Sequence, residues 1–249
     1  MKHVISGRAV GLAVLLATGM TVSAAKKPGN DRVAEAGKSA AQILMYSEQE
    51  KGIKPYPVRY IVTDLYLRSD DGIDNGDFTL LDRRNKTVYN VSRQNRTILV
   101  VTRQNATVAK KDRPKIRVTT NDKLNLPKID NKHTLKLKFE AGKKVCNNYI
   151  VVPGLMNKAV AALAEFRGVL AGQHAANLHK TPKSLQDPCF TAFNIVNHSK
   201  HLEYGLVVRQ WNSQGKQQLL VDYAKNRLVN NSLFVLPKGY KRFKVGEMP

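Results

Sequence analysis

Residues 67–83 read LRSDDGIDNGDFTLLDR, five aspartates in a chain whose 41 lysines and arginines outnumber its 19 acids. Three readings compete for this stretch: a calcium loop, an acidic active site, or the polar link between two strands. An EF-hand loop needs oxygen ligands at its first, third and fifth positions, glycine at the sixth and an acid at the twelfth. Counting from Asp71 places Asn75 fifth, Gly76 sixth and Asp82 twelfth, but Ile73 stands third and has no side-chain oxygen. A helix should follow such a loop, whereas Phe78-Thr79-Leu80-Leu81 alternates like a strand. Aspartates beside glycine ordinarily serve turns. The stretch is therefore read as a polar loop, Ser69 to Gly76, joining two strands.

The neighbouring sequence extends this pattern. Asp77 to Arg83, Lys86 to Val91 and Thr97 to Thr102 are short apolar runs separated by Arg84-Asn85 and Ser92 to Asn95, the spacing of an antiparallel meander. Ile98-Leu99-Val100-Val101 is apolar on both alternations, which predicts a strand covered on both sides. Upstream, Val58 to Arg68 reads as one strand, and Lys38 to Lys51 as a helix with Ala41, Leu44 and Met45 on its apolar side and Gly52 as its stop. Downstream, Ile116 to Thr119, Thr134 to Glu140 and Tyr149 to Val152 read as strands. Leu155 to Leu178 is the strongest helix, with Leu155, Ala159, Leu163, Phe166 and Leu170 in one stripe. Gly205 to Trp211 and Gln217 to Tyr223 form a hairpin, and Leu233 to Leu236 a last short strand before a turn.

Export is expected from the first 25 residues. Lys2 and Arg8 precede an apolar run from Ala9 to about Val22, and small residues Val22-Ser23-Ala24-Ala25 follow, the order of a cleaved signal peptide. An exported chain with two cysteines, Cys146 and Cys189, suggests one disulfide closing a loop of about 44 residues, worth roughly 4 kcal/mol in the chain-entropy model. Two separate buried thiols are the alternative. The expected organisation is a signal peptide over 1–25, a leader and N-terminal helix over 26–55, and a single α+β domain over 56–249. The formal charge is +22, and 18 Lys or Arg against four acids fall between Arg83 and Lys144. Such a surplus attracts anionic partners, an anionic membrane surface among them, or else is a solvated face.

Residues 65–101, LYLRSDDGIDNGDFTLLDRRNKTVYNVSRQNRTILVV, resemble a phrase of uncharacterised bacterial periplasmic proteins, matched here by Arg68, Asp70, Asp82, Arg83, Tyr89, Val91, Thr97 and Ile98. Residues 220–243, with a Phe and a Leu-Pro before Gly-Tyr, look like the closing phrase of the same group. That group is similar in architecture to the outer-membrane lipoprotein carriers. The resemblance implies a curved antiparallel half-barrel with a long helix crossing its concave face, and a groove between them for acyl chains. It brings no catalytic residues.

Catalytic chemistry has little support. No GxSxG, HExxH or glycine-rich phosphate loop is present. His198 and His201 are three apart but lack a third metal ligand, and His174 and His179 do not share a helical face. Nucleic-acid binding would interleave aromatics with the basic residues, yet Arg83 to Lys144 holds only Tyr89 and Phe139. No cofactor, metal or catalytic residue is assigned, and the non-enzymatic reading is favoured. The expected function is periplasmic binding or carriage of a lipid, acyl chain or lipoprotein in an apolar groove lined by Leu155, Leu163, Phe166, Leu170, Leu80 and Val100. The alternative is a cavity-free envelope assembly protein that meets anionic partners through its basic surface. Oligomeric state is left open.

Overall fold

The computed structural model describes residues 37–121, 126–178 and 180–247. The expected signal peptide over 1–25 and most of the expected leader lie outside the described residues.

A twelve-stranded sheet dominates the chain, in the order β12-β6-β5-β4-β3-β2-β1-β11-β10-β9-β8-β7. Strands β1 (Lys38–Gln49), β2 (Tyr56–Val62), β3 (Tyr66–Asp70), β4 (Phe78–Asp82), β5 (Thr87–Ser92) and β6 (Thr97–Thr102) run outward as one meander. The chain then starts again at the other edge with β7 (Ile116–Asn121), β8 (Leu135–Ala141) and β9 (Lys144–Val152). Helix α1 (Asn157–Leu178) follows, then β10 (Leu206–Trp211) and the long β11 (Gln217–Asn230), which pairs with β1 and joins the two meanders. Finally β12 (Lys241–Lys244) pairs in parallel with β6.

That last pairing overturns the expected antiparallel half-barrel. The sheet is mixed and open, with core packed on both of its faces. Its two faces are covered by different elements. On one face α1 packs against Leu44, Tyr46, Val62, Leu67, Leu81, Val88 and Val101. On the other, Ala41, Ile61, Phe78, Leu80, Val91 and Ile98 pack under the C-terminal segment through Phe234, Leu236 and Tyr240. No helix among the described residues is long and apolar enough to cross a membrane.

Three local expectations are corrected for related reasons. Lys38 to Lys51 is not a helix; it is β1, hydrogen-bonded to β2 and β11. Leu44 and Tyr46 face α1, while Ala41 and Ile43 face the C-terminal segment. Apolar residues on both alternations erase the period of two and imitate helical spacing. Val58 to Arg68 is a hairpin rather than one strand, because Thr63 turns the chain: its Oγ1 accepts from Tyr66 N at 3.0 Å and its own N–H donates to Tyr66 O at 2.9 Å. Leu233 to Leu236 is not a strand either. Asn231–Phe234 is a 3-10 turn, capped by Asn230 accepting from Ser232 N, and it delivers Phe234 into the core.

Helix α1 is seated by specific contacts. Gln42 Oε1 accepts from Ala159 N at 2.9 Å, satisfying a donor of its first turn. Glu165 accepts from Arg83 Nη2 at 2.9 Å and Lys86 Nζ at 3.0 Å, tying the helix to the β4–β5 turn. At Gly172 a Cβ would lie 2.4 Å from the carbonyl oxygen of Gln104, so only glycine lets the segment after β6 cross the helix there.

Candidate functional site

The aspartate loop is scaffold. Asp70 accepts from Arg59 at 2.8 and 2.9 Å and from Arg68 at 2.6 Å, and its Oδ1 also takes Gly72 N. Asp71 accepts from Ile73 N, Asp77 from Arg93 N, and Asp82 from Arg84 N and Asn85 N. Asp74 pairs with Arg59, and its carbonyl accepts from Arg68. Each carboxylate closes a turn or neutralises an arginine.

A cavity of about 490 Å³ lies between α1, the sheet and the segment after Cys189. Its walls follow from the sequence. Leu163, Phe166, Arg167 and Leu170 stand at i, i+3, i+4 and i+7, one face of α1. Tyr46, Tyr60, Tyr149 and Val207 come from β1, β2, β9 and β10. The third wall is held by the Cys146–Cys189 disulfide, which fastens α2 (Pro188–Phe190) to β9. Lys144 reaches Asp187 at 3.1 Å beside it, and Asp187 Oδ1 accepts from Cys189 N at 2.9 Å. From there π-helical turns over Thr191–Val196 carry Phe193 against Phe139, ring centres 5.1 Å apart. The exposed hairpin tip, with Ser213, Gln214 and Lys216, lines the cavity at the protein surface.

Deep polar groups distinguish this cavity from a packing defect. His201 is 5% exposed and stacks on Tyr149 with 4.8 Å between ring centres and 8° between planes. Burial, reinforced by Arg167 and His198, holds its imidazole well below the usual histidine range. Burial pushes the Tyr149 hydroxyl up to about 12. It also raises Tyr46, whose hydroxyl donates to Val207 O at 2.7 Å, and Tyr60. Arg167 donates from Nε to His198 O and from Nη2 to Phe193 O at 3.0 Å and Asn194 Oδ1 at 3.4 Å. Burial lowers its affinity for the proton, though a guanidinium remains charged.

Of the groove residues read from sequence, Leu163, Phe166 and Leu170 line this cavity. Leu155 does not; it is fully buried in the core beneath α1. Leu80 and Val100 belong to the opposite face, under the C-terminal segment. His198 and His201 do not converge on a shared ligand: His198 Nδ1 lies 3.2 Å from Ile195 O, while His201 lies flat on Tyr149. His174 packs edge-on against Phe190. Among the described residues no group of three or more His, Cys, Asp or Glu could hold a metal ion. Sequence reasoning missed Arg167, although a charge inside the Leu163–Phe166–Leu170 stripe was the available signal. It also missed Tyr46, Tyr60 and Tyr149, which only the sheet brings together.

No protein-family model matches the chain, and no curated protein matches it. Among solved structures it is similar to an uncharacterized conserved protein from Thermus thermophilus, at 10% identity over 83% of this chain and 91% of that one, with a TM-score of 0.43. It is also similar to PNGF-II in a C2 crystal, at 12% identity over 83% of this chain and 31% of that one, with a TM-score of 0.41. These are distant likenesses of shape at low identity, and they assign the chain to no family.

Proposed function

We propose that the protein is an exported periplasmic, non-enzymatic binding protein that holds a lipid, an acyl chain or an acylated partner in the cavity beneath α1. The observation that carries this reading is the cavity itself. Its volume of about 490 Å³ falls within the roughly 300–1,000 Å³ of small-molecule sites, and it is open at the surface. Its lining, apolar along α1 except at Arg167 and more polar along the sheet and the hairpin tip, suits an amphiphile better than a wholly apolar molecule. The residue order of the first 25 positions and the disulfide both favour export. The large basic excess favours approach to an anionic membrane, each exposed Lys or Arg contributing on the order of 1 kcal/mol near the surface.

The test is native mass spectrometry of protein released gently from the periplasm, followed by organic extraction. A stoichiometric lipid or acyl species is expected, and Leu163→Trp, which fills the cavity, should lose it while keeping the melting temperature within a few degrees. Wild-type protein of clean apo mass with nothing extractable would reject the reading and favour an assembly role through surface contacts.

A further inference from the structure

We infer that the cavity beneath α1 is built to recognise an anionic oxygen headgroup, a carboxylate or phosphate, through Arg167, His201 and the Tyr149 hydroxyl. The inference rests on the reading of this cavity as a ligand site and names the chemical class of what it takes.

Three observations carry it. First, Arg167 is a cation in the wall of the cavity with no carboxylate partner among the described residues. Its acceptors are two backbone carbonyls and one amide oxygen, reached from Nε and Nη2, and Nη1 has no acceptor among the described residues. Arg167 is half-buried, and the part of its hydration that is lost is offset only in part by neutral acceptors and well by an anion. The other charged lining groups are already engaged: Asp187 with Lys144, Lys216 with Glu50, and Glu48 with Gln218 Nε2 at 2.6 Å.

Second, His201 is more than nine-tenths buried, lines the cavity, and makes no hydrogen bond through either ring nitrogen among the described residues. Third, the Tyr149 hydroxyl, on the ring against which His201 stacks, likewise has no described hydrogen-bond partner. Buried polar groups are nearly always paired, and here two that border one open cavity are not. Neither is sealed away from solvent without a partner; within the described residues only Glu140 Oε2 is in that state. The unused hydrogen-bonding capacity of His201 and Tyr149 therefore opens on the cavity. A neutral imidazole and a phenol each offer one hydrogen-bond donor, and a guanidinium offers a fork that matches two anionic oxygens. Leu163, Phe166 and Leu170 would take the apolar part of the same molecule.

Arg167 also fastens the π-helical segment, so its replacement would confuse folding with binding. The informative variants are His201→Phe and Tyr149→Phe, which keep the ring stack and remove only polar atoms. Binding of tetradecanoate, tetradecyl phosphate and the uncharged methyl tetradecanoate to the disulfide-intact protein is measured by titration calorimetry. One or both charged probes should bind at least about tenfold more tightly than the ester, the difference a hydrogen bond to a charged group supplies. The two charged probes tell carboxylate from phosphate. Each variant should weaken the charged probe more than the ester, whose carbonyl is the weaker acceptor, and so bring the two affinities together. Ester binding equal to that of both acids, or variants that weaken all three probes alike, would overturn the anion site while leaving the cavity as a ligand site. Absence of binding by every probe would overturn the cavity reading and this inference with it.

Discussion

Arg68 and Asp70, two residues apart on β3, face the same side of the sheet and form a solvent-sealed ion pair with Nε 2.6 Å from Oδ2. The Arg68 guanidinium lies over the Phe78 ring, 4.1 Å from its centre, and donates onward to Leu233 O and Asp74 O. One arginine thus ties the aspartate loop to the C-terminal segment that covers this face. Removing one member of a buried pair leaves an uncompensated charge. Arg68→Met should therefore destabilise the protein by about 3–5 kcal/mol, read as a shift in the urea midpoint at constant m-value. A shift under about 1 kcal/mol would mean that Arg59 alone compensates Asp70.

Acid should weaken the same joint. Burial by itself would raise the Asp70 carboxyl, but hydrogen bonds from Arg59, Arg68 and Gly72 N outweigh it and hold it below the usual carboxylate range. A carboxylate depressed in the folded state contributes stability that is complete above its unfolded value, near 4, and is lost as pH falls through the folded value. Urea unfolding should show a loss of stability below about pH 4 that is smaller in Asp70→Asn. Equal slopes in the two proteins would assign the acid sensitivity to other groups.

The disulfide should matter more for the cavity than for the sheet. Cys146 and Cys189 are 43 residues apart, a loop worth roughly 4 kcal/mol in the chain-entropy model. Reduction, or paired Cys146→Ala and Cys189→Ala substitution, should lower the melting temperature. It should also raise amide exchange over Pro188–Val196 well before exchange over β3 to β6 changes. Two free thiols in unreduced, denatured protein would contradict the pairing itself.

At Gly172 two effects of a methyl group oppose each other. Glycine to alanine inside a helix ordinarily gains about 1 kcal/mol. Here the added Cβ would lie 2.4 Å from Gln104 O and 3.1 Å from Gln104 N, both backbone atoms that cannot rotate away. Overpacking of that kind costs about 1–3 kcal/mol, so Gly172→Ala should destabilise on balance and loosen the segment after β6 to proteolysis. A stabilised variant would show that this crossing is soft.

The C-terminal strand should act as a lock on the outer edge. Phe243 is buried on β12 and pairs in parallel with Leu99 of β6. Phe243→Ala should cost about 3–5 kcal/mol and speed amide exchange on β6 more than on β1 or β2. Uniform acceleration across the sheet would instead mean that the edge and the centre open together.

How much of this was legible in the sequence depends on what covers each element. β4, β5 and β6 could be read to within a residue or two, because polar turns such as Arg84-Asn85 punctuate them and local chemistry suffices. The polar role of the aspartate loop was legible for the same reason, since each aspartate serves a neighbour in the chain or the next strand. β1 was misread as a helix because both of its faces are buried, so its apolar residues lose the alternation that reveals a strand. β12 was invisible: Lys241-Arg242-Phe243-Lys244 carries one apolar residue, and its pairing depends on β6, more than 140 positions earlier.

The candidate site divides along the same line. The apolar stripe of α1 follows from helical spacing, which residues 155–178 encode among themselves. That Leu163, Phe166 and Leu170 border open space while Leu155 is sealed in the core was settled by where the disulfide-held segment sits. Arg167, His201 and Tyr149 come together only because β9, α1 and the segment after Cys189 converge, and no local pattern encodes a distance between them. Strand, turn and helix signals arise between near neighbours, where hydrogen bonding and periodicity act. The second covered face, the parallel edge and the cavity are long-range packing outcomes, and the tertiary structure decided them.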